Sequence, residues 1–341
     1  MIKKVAVLGS GGWGTAVALA ALRCGLDVTV WSAFKEEIDN ILAAGENPLL
    51  KGIKLPKELK FTSSLDCVKD CDMCVVAVPS FAIDEVCGKL AGVIDSSVII
   101  VSISKGFDKV NCERLSQVIE RYLPENPIVV LSGPSHAEEV ALAIPTALVS
   151  ASKDEAAAVM VRECLSTDKL RIYSSQDIIG VELGGAIKNV IALCAGICDG
   201  MGLGDNTKAA LLTRGLREIA RLGVAMGARK DTFTGLSGMG DLIVTCTSMH
   251  SRNRRAGILI GKGNSISDTI SQVGTVEGYH AAGLVNKLAE KYGVSMPICK
   301  SCYKICYENG NPNEEIMKLM SRPNIHEDEG VSWWSVASEE E

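Results

Sequence analysis

Over the first 131 residues, short β-branched runs alternate with amphipathic stretches, and this alternation limits the fold more than any other feature. Residues 5–8, 28–31, 73–78, 98–102 and 128–131 read as buried strands, with helix-like segments such as 15–24 and 112–122 between them. Strand and helix in alternation pack as right-handed βαβ units, whose helices cover both faces of a parallel sheet. Residues 145–150 and 170–173 are further strand candidates. After about residue 178 the strand-like runs stop, and long helical patterns follow at 181–197, 207–226, 278–292 and 299–307. The change predicts a boundary near residues 175–185. The expected plan is an α/β part with a mostly parallel sheet (1–180), an all-α part (181–325) and an acidic tail (326–341) carrying Trp333 and Trp334.

At 341 residues, two domains of roughly 100–200 residues each are the natural division. Hydrophobic residues make up 47% and charged residues 22%, which excludes a disordered or fibrous chain. A net charge of −6 argues against a nucleic-acid binder with a broad basic face. Lys3-Lys4 and the apolar residues after them imitate a leader, but the run at 5–8 is too short and glycines interrupt it. No uninterrupted apolar run approaches a membrane span. The expectation is a soluble cytoplasmic protein without membrane insertion.

Thirteen cysteines are an odd, scattered set, unlike a secreted disulfide framework. Cys67, Cys71 and Cys74 form one cluster, and Cys299, Cys302 and Cys306 another. Thiolates at such spacings can bind zinc or an iron–sulfur cluster. Small buried thiols on a strand and a helix explain them more simply, so no metal is expected.

Gly9-x-Gly11-x-x-Gly14 is weak evidence by spacing alone in a chain with 33 glycines. Its setting is stronger, because it follows the strand at 5–8 and opens the helix at 15–24. Gly9 then permits the tight turn, Gly11 the approach of a pyrophosphate, and Gly14 close packing of helix on sheet. The acidic residue that usually meets an adenine ribose is missing at the end of the second strand, where Ser32, Ala33, Phe34 and Lys35 stand. The coenzyme is written NAD(P), with a slight lean to NADP because Lys35 can meet a 2′-phosphate.

Lys188 lies inside a helix that is otherwise nearly apolar, and no carboxylate sits three or four residues from it. Either it is desolvated, with a lowered pKa suited to acid/base work, or it snorkels out along its neighbours. Lys105 poses the same choice just past the strand at 98–102, at the carboxyl edge where open α/β sheets bind ligands. Residues 231–255 read as a glycine-rich loop containing Asp241 and ending in Ser251-Arg252-Asn253-Arg254-Arg255. Arginine among hydroxyl and amide donors suits a phosphate, and a solvated basic turn is the plainer alternative. Met239 stands where a nucleophile elbow around Ser237 needs glycine. The four histidines have no metal-ligand spacing.

The glycine loop with Trp13, Ser104-Lys105-Gly106-Phe107, Leu131 to Glu138, Lys188-Asn189, Gly204-Asp205-Asn206 and Thr234 to Asn253 occur in one order. Together they resemble bacterial-type NAD(P)-dependent glycerol-3-phosphate dehydrogenase, over roughly residues 4–320. The resemblance implies a Rossmann domain followed by an all-helical domain, commonly as a homodimer. It implies hydride transfer between NAD(P)H and dihydroxyacetone phosphate, giving sn-glycerol 3-phosphate for phospholipid synthesis. Lys188 matches the catalytic proton acceptor, working with Lys105 and Asp241. Lys105, Gly133, Ser135, Lys188, Asp241, Ser251, Arg252 and Asn253 are expected to line the phosphorylated triose. Gly12, Trp13, Lys105, Ala137, Arg252 and Glu277 are expected at the cofactor, with Gly9, Gly11, Gly14 and Phe34. Two departures stand out: many relatives carry a basic residue just after the Trp31 position, and Gly12 replaces a frequent serine. The nearest rival is a 2-hydroxyacid dehydrogenase of the 6-phosphogluconate dehydrogenase type. A non-catalytic NAD(P) sensor is a rival of another class, but it has no need for Lys188 and Asp241.

Overall fold

The computed structural model describes residues 2–323 and residue 327. The rest of the expected acidic tail, with both of its tryptophans, lies outside the described residues. Eight strands form one sheet: β1 (Lys4–Leu8), β2 (Asp27–Trp31), β3 (Lys60–Thr62), β4 (Met73–Val76), β5 (Ile99–Ser102), β6 (Ile128–Ser132), β7 (Thr146–Ala151) and β8 (Leu170–Ser175). Their spatial order is β3-β2-β1-β4-β5-β6-β7-β8. Every pairing is parallel except β6 with β7. The order reverses between β1 and β4, and the crevice above such a switch point is where open sheets hold ligands.

The helices are α1 (Gly12–Arg23), α2 (Lys35–Ala44), α3 (Ile83–Leu90), α4 (Leu115–Tyr122), α5 (Ala137–Ala141), α6 (Glu155–Leu165), α7 (Ile178–Gly200) and α8 (Asp205–Ala225). They continue as α9 (Asp241–Thr247), α10 (Arg252–Gly261), α11 (Ile266–Val273), α12 (Glu277–Lys291), α13 (Pro297–Tyr307) and α14 (Pro312–Met320). One apolar cluster on the sheet draws on Val5, Val7, Val28 and Val75, and a second on Ala6, Leu8, Cys74 and Val76. These are alternate residues of the same strands, so both faces are covered. Beyond Ser175 the described chain is helical and its core is built around α7.

One strand goes unannounced in the sequence, and three sequence expectations need correction. The strand β3, Lys-Phe-Thr, has no apolar run to announce it, being a three-residue edge strand. The strand expected at 73–78 stops at Val76, where Ala77 lies against Gly9. The helix expected from 112 starts at Leu115, because Cys112 takes a left-handed φ of 56° and Arg114 caps the helix. The supposed loop at 231–255 is largely helical: a 3-10 turn (Lys230–Thr234), a π-helical turn (Leu236–Gly240), then α9 and the start of α10. Its glycines serve packing rather than looseness, and π turns of this kind recur at functional sites.

Helix α7 is long and apolar enough by composition to cross a membrane, yet it is almost wholly buried inside the protein. A buried ion pair ties it to the sheet half: Arg114 Nη1 donates to Glu182 Oε2 at 2.8 Å, and Ser116 N to Glu182 Oε1 at 2.8 Å. On another face α7 meets α10 backbone to backbone. A Cβ at Gly257 would lie 2.1 Å from the Leu193 carbonyl oxygen, and one at Gly196 would lie 2.1 Å from that of Arg254. Gly257→Ala is therefore expected to force the helices apart and destabilise the fold by about 3 kcal/mol. Urea unfolding measures this, and an unchanged midpoint would contradict the close approach.

Candidate active site

Three charged side chains from distant parts of the chain meet above the sheet's carboxyl edge. Lys188 is in the middle of α7, Asp241 opens α9 directly after the π turn, and Lys105 stands three residues past β5. Asp241 Oδ2 accepts from Lys105 Nζ at 2.7 Å, and Asp241 Oδ1 accepts from Lys188 Nζ in a short contact. Lys188 Nζ also donates to Thr245 Oγ1 at 2.7 Å, and that hydroxyl donates back to the Asp241 carbonyl at 2.6 Å. Lys188 is 5% exposed and Asp241 1%, so neither charge is solvated by bulk water. The snorkelling alternative for Lys188 is thereby excluded.

Burial pulls the Lys188 ammonium down to about 7; Asp241 opposes that shift and Lys105 adds to it. The Asp241 carboxyl is held below its ordinary value, because the two lysines outweigh the cost of its burial. Near neutral pH such a lysine gives and takes a proton with similar ease, and the Asp241 carboxylate keeps it aimed.

Of the other expected substrate residues, Gly133 and Ser135 join this cluster through Lys105, and Ser251, Arg252 and Asn253 stand together at the start of α10. Lys105 Nζ donates to the Gly133 carbonyl at 3.4 Å, and Ser135 Oγ to the same oxygen at 3.0 Å, so β6's exit loop joins the group. Ser251 caps α10, its Oγ accepting from Arg254 N at 3.2 Å. Arg252 follows at the first helical position and is exposed. Asn253 is buried and links three helices: its Nδ2 donates to Asn189 Oδ1 at 2.9 Å, and its Oδ1 accepts from Gly278 N at 2.8 Å. Asn189 adjoins Lys188 in α7, and Gly278 adjoins Glu277 at the start of α12. An exposed guanidinium at an acid-free helix N-terminus fits a phosphate.

The nucleotide end is built by the glycine loop at the switch point. Gly9 takes φ 125° and abuts Ala77, and a Cβ on Gly14 would lie 2.2 Å from the Gly9 carbonyl. Helix α1 has no side-chain cap and no acidic residue in its first turn, leaving Gly12, Trp13 and Gly14 amides for an anion. Trp13 Nε1 is buried without a hydrogen-bond partner among the described residues, a donor that fits a polar ligand. Glu277 bonds Ser80, and its carboxyl is raised by burial, an effect that Arg252 and Lys109 oppose. Ala137 opens α5 just beyond Ser135, while Phe34 caps α2 past β2's end and is 71% exposed.

Lys105, Gly133, Ser135, Lys188 and Asp241 are thus tied into one hydrogen-bonded group, while Phe34 stands apart at the start of α2. Sequence reasoning missed Thr245, whose signal is its place four residues after Asp241 once that segment is helical. It also missed Asn47, which is 1% exposed and donates to the Ser10 carbonyl at 2.7 Å and Thr15 Oγ1 at 2.8 Å, fixing the glycine loop. Nothing in its sequence context announces that role. The six clustered cysteines are mostly buried, and burial pushes the Cys67 and Cys71 thiols up to about 11 and about 12. These two thiols stay protonated at neutral pH, which makes them poor nucleophiles.

Comparison with known proteins gives consistent matches. The family model for the N-terminus of NAD-dependent glycerol-3-phosphate dehydrogenase matches residues 4–158, and that for its C-terminus residues 177–317. A glycerol-3-phosphate dehydrogenase [NAD(P)+] of Thermoanaerobacter sp. (strain X514) is 47% identical over 330 residues, covering 96% of this chain and 100% of the relative. One of Clostridium acetobutylicum is 48% identical over 326 residues, covering 95% and 98%. The crystal structure of glycerol-3-phosphate dehydrogenase from Coxiella burnetii superposes with a TM-score of 0.90 at 37% identity, covering 94% of this chain and 99% of that one.

Asp241 carries two lysines, so Asp241→Asn should strip the buried Lys188 of its counter-charge and leave it as the neutral amine at neutral pH. The expected cost is about 1–3 kcal/mol, from the buried hydrogen-bonded contact that is lost, read by urea unfolding at neutral pH. Stability equal to that of the parent would mean that the lysines do not depend on this carboxylate.

Proposed function

The chain belongs to the NAD-dependent glycerol-3-phosphate dehydrogenase family, and we propose that its Lys188–Asp241–Lys105 cluster is where dihydroxyacetone phosphate and sn-glycerol 3-phosphate are interconverted with NAD(P)(H). The observation that carries this reading is a buried lysine held near neutrality beside a carboxylate, at the carboxyl edge of a dinucleotide-binding sheet.

The bound coenzyme supplies or accepts a hydride at the carbinol carbon. Lys188 as ammonium donates a proton to the substrate oxygen during reduction and, as amine, takes it back during oxidation. Asp241 and Thr245 fix the direction of Nζ, and the positive charge of Lys105 stabilises the oxyanion that develops beside it. Ser251, Arg252 and Asn253 hold the phosphate at the start of α10. Binding energy remote from the reacting carbon then serves orientation. Asn253 links that phosphate end to Asn189, one residue from the proton donor, so the substrate's two ends are set by one hydrogen-bonded chain.

The division of the chain near residue 180, a cytoplasmic homodimer and supply of phospholipid synthesis belong to the same reading and are supported by family membership. The direct test follows nicotinamide absorbance with dihydroxyacetone phosphate and NADH or NADPH in separate cuvettes. Rapid loss with either coenzyme supports the reading. No loss in protein that binds coenzyme would overturn it and favour a carboxylate substrate, as the hydroxyacid rival requires.

Two further outcomes are expected. Lys188→Met removes a desolvated charge while keeping its volume, so the variant should fold and bind coenzyme while kcat falls roughly a thousandfold. Near-normal turnover would end the proposed role. Reduction needs the ammonium form, so its kcat should fall as pH rises through about 7, while oxidation needs the amine and should rise through the same region. Parallel pH profiles in the two directions would contradict the assignment.

A further inference from the structure

The end of β2, beside the glycine loop, holds a carboxylate that position in the sequence conceals. The Trp31 carbonyl at the end of β2 accepts from Gly9 N at 2.9 Å, so Ser32 stands at the lip of the glycine loop. Ser32 is 4% exposed. Its Oγ donates to Glu37 Oε2 at 2.6 Å and accepts from Phe34 N at 3.3 Å. Glu37 comes from the first turn of α2, five residues on, and is half-buried. The hydroxyl therefore anchors the carboxylate back at the end of β2, where an acidic residue meets the 2′-hydroxyl of an adenine ribose in folds of this order.

The chemistry of the 2′ position then decides between coenzymes. A carboxylate accepts a hydrogen bond from a 2′-hydroxyl. Toward a 2′-phosphate it presents like charge and no proton to donate. Ala33 and Phe34 carry no charge, and the exposed Lys35 and Glu36 offset each other, which leaves Glu37 to set the local sign. Sequence position alone leans the other way, since Ser32 stands where the carboxylate is sought and Lys35 is the nearest charge.

We propose that Glu37, held by Ser32, reads the adenine ribose and makes this chain prefer NAD(H) to NADP(H). The proposal rests on the dehydrogenase reading and deepens it by choosing the coenzyme. Titrations following nicotinamide fluorescence with NADH and with NADPH test it without requiring turnover. The parent protein should bind NADH at least about tenfold more tightly, the scale of one like-charge contact. In Glu37→Gln the ratio should collapse toward unity, with NADPH binding more tightly. Ser32→Ala, which frees the carboxylate without removing it, should narrow the ratio less, and Lys35→Ala should leave NADH preferred.

The ratio of kcat/KM values should follow the same order. Equal or tighter NADPH binding by the parent would overturn the proposal, as would an unchanged ratio in Glu37→Gln. Selective NADH binding without turnover of dihydroxyacetone phosphate would support this proposal while sinking the dehydrogenase reading. Turnover with NADPH preferred would do the reverse.

Discussion

The buried contact of Asp241 with Lys188 and Lys105 is the constraint that the rest of the structure serves. An ammonium held at 5% exposure is unfavourable in isolation. One carboxylate shared between two lysines makes it tolerable without fully restoring its ordinary basicity. That incomplete compensation is the useful property. A fully paired lysine would stay protonated at neutral pH, and an unpaired buried one would stay neutral. Between those limits the proton moves in both directions, as a reversible dehydrogenase needs.

Holding the contact requires precision from elements far apart in the chain. Helix α7 is fixed from one side by the Arg114–Glu182 ion pair, which reaches it from the N-terminus of α4. It is fixed from another side by glycine-mediated contact with α10. The first brings Lys188 over the carboxyl edge of the sheet, where β5 delivers Lys105. The second sets the start of α10, and so Ser251, Arg252 and Asn253, at a fixed distance from Lys188. Lys188 on α7 and the residues at the start of α10 are thus held by one helix–helix contact, while the glycine loop is fixed by the Asn47 side chain behind it.

Much of this was legible in the sequence because burial on both faces leaves an unmistakable pattern. Strands β1, β2, β4, β5 and β6 are β-branched runs with helices between them, and the glycine loop follows the first. The helical half announced itself by the disappearance of such runs. What stayed hidden shares a physical cause: it depends on contacts between residues distant in sequence, or on glycine used for packing. β3 has three residues and no apolar signal. The segment from 231 to 255 looked like a loop because its glycines suggest looseness, whereas they allow a π turn and tight helix contacts. The partner of Lys188 lies 53 residues away, so helical spacing could not find it; the family resemblance placed Asp241 beside it. Glu37 and Asn47 act through hydrogen bonds that only the folded chain displays.

The account's central claim concerns the ionisation of one side chain, and it is best measured on that side chain directly. Heteronuclear NMR of protein labelled at the lysine ε-carbon and ζ-nitrogen, with Lys188 identified by its absence in Lys188→Met, would follow its titration without substrate. The account predicts a midpoint about three units below an ordinary lysine, close to the value of about 7 that burial imposes against the pull of Asp241. A Lys188 that stays protonated to about pH 10, like an exposed lysine, would contradict it.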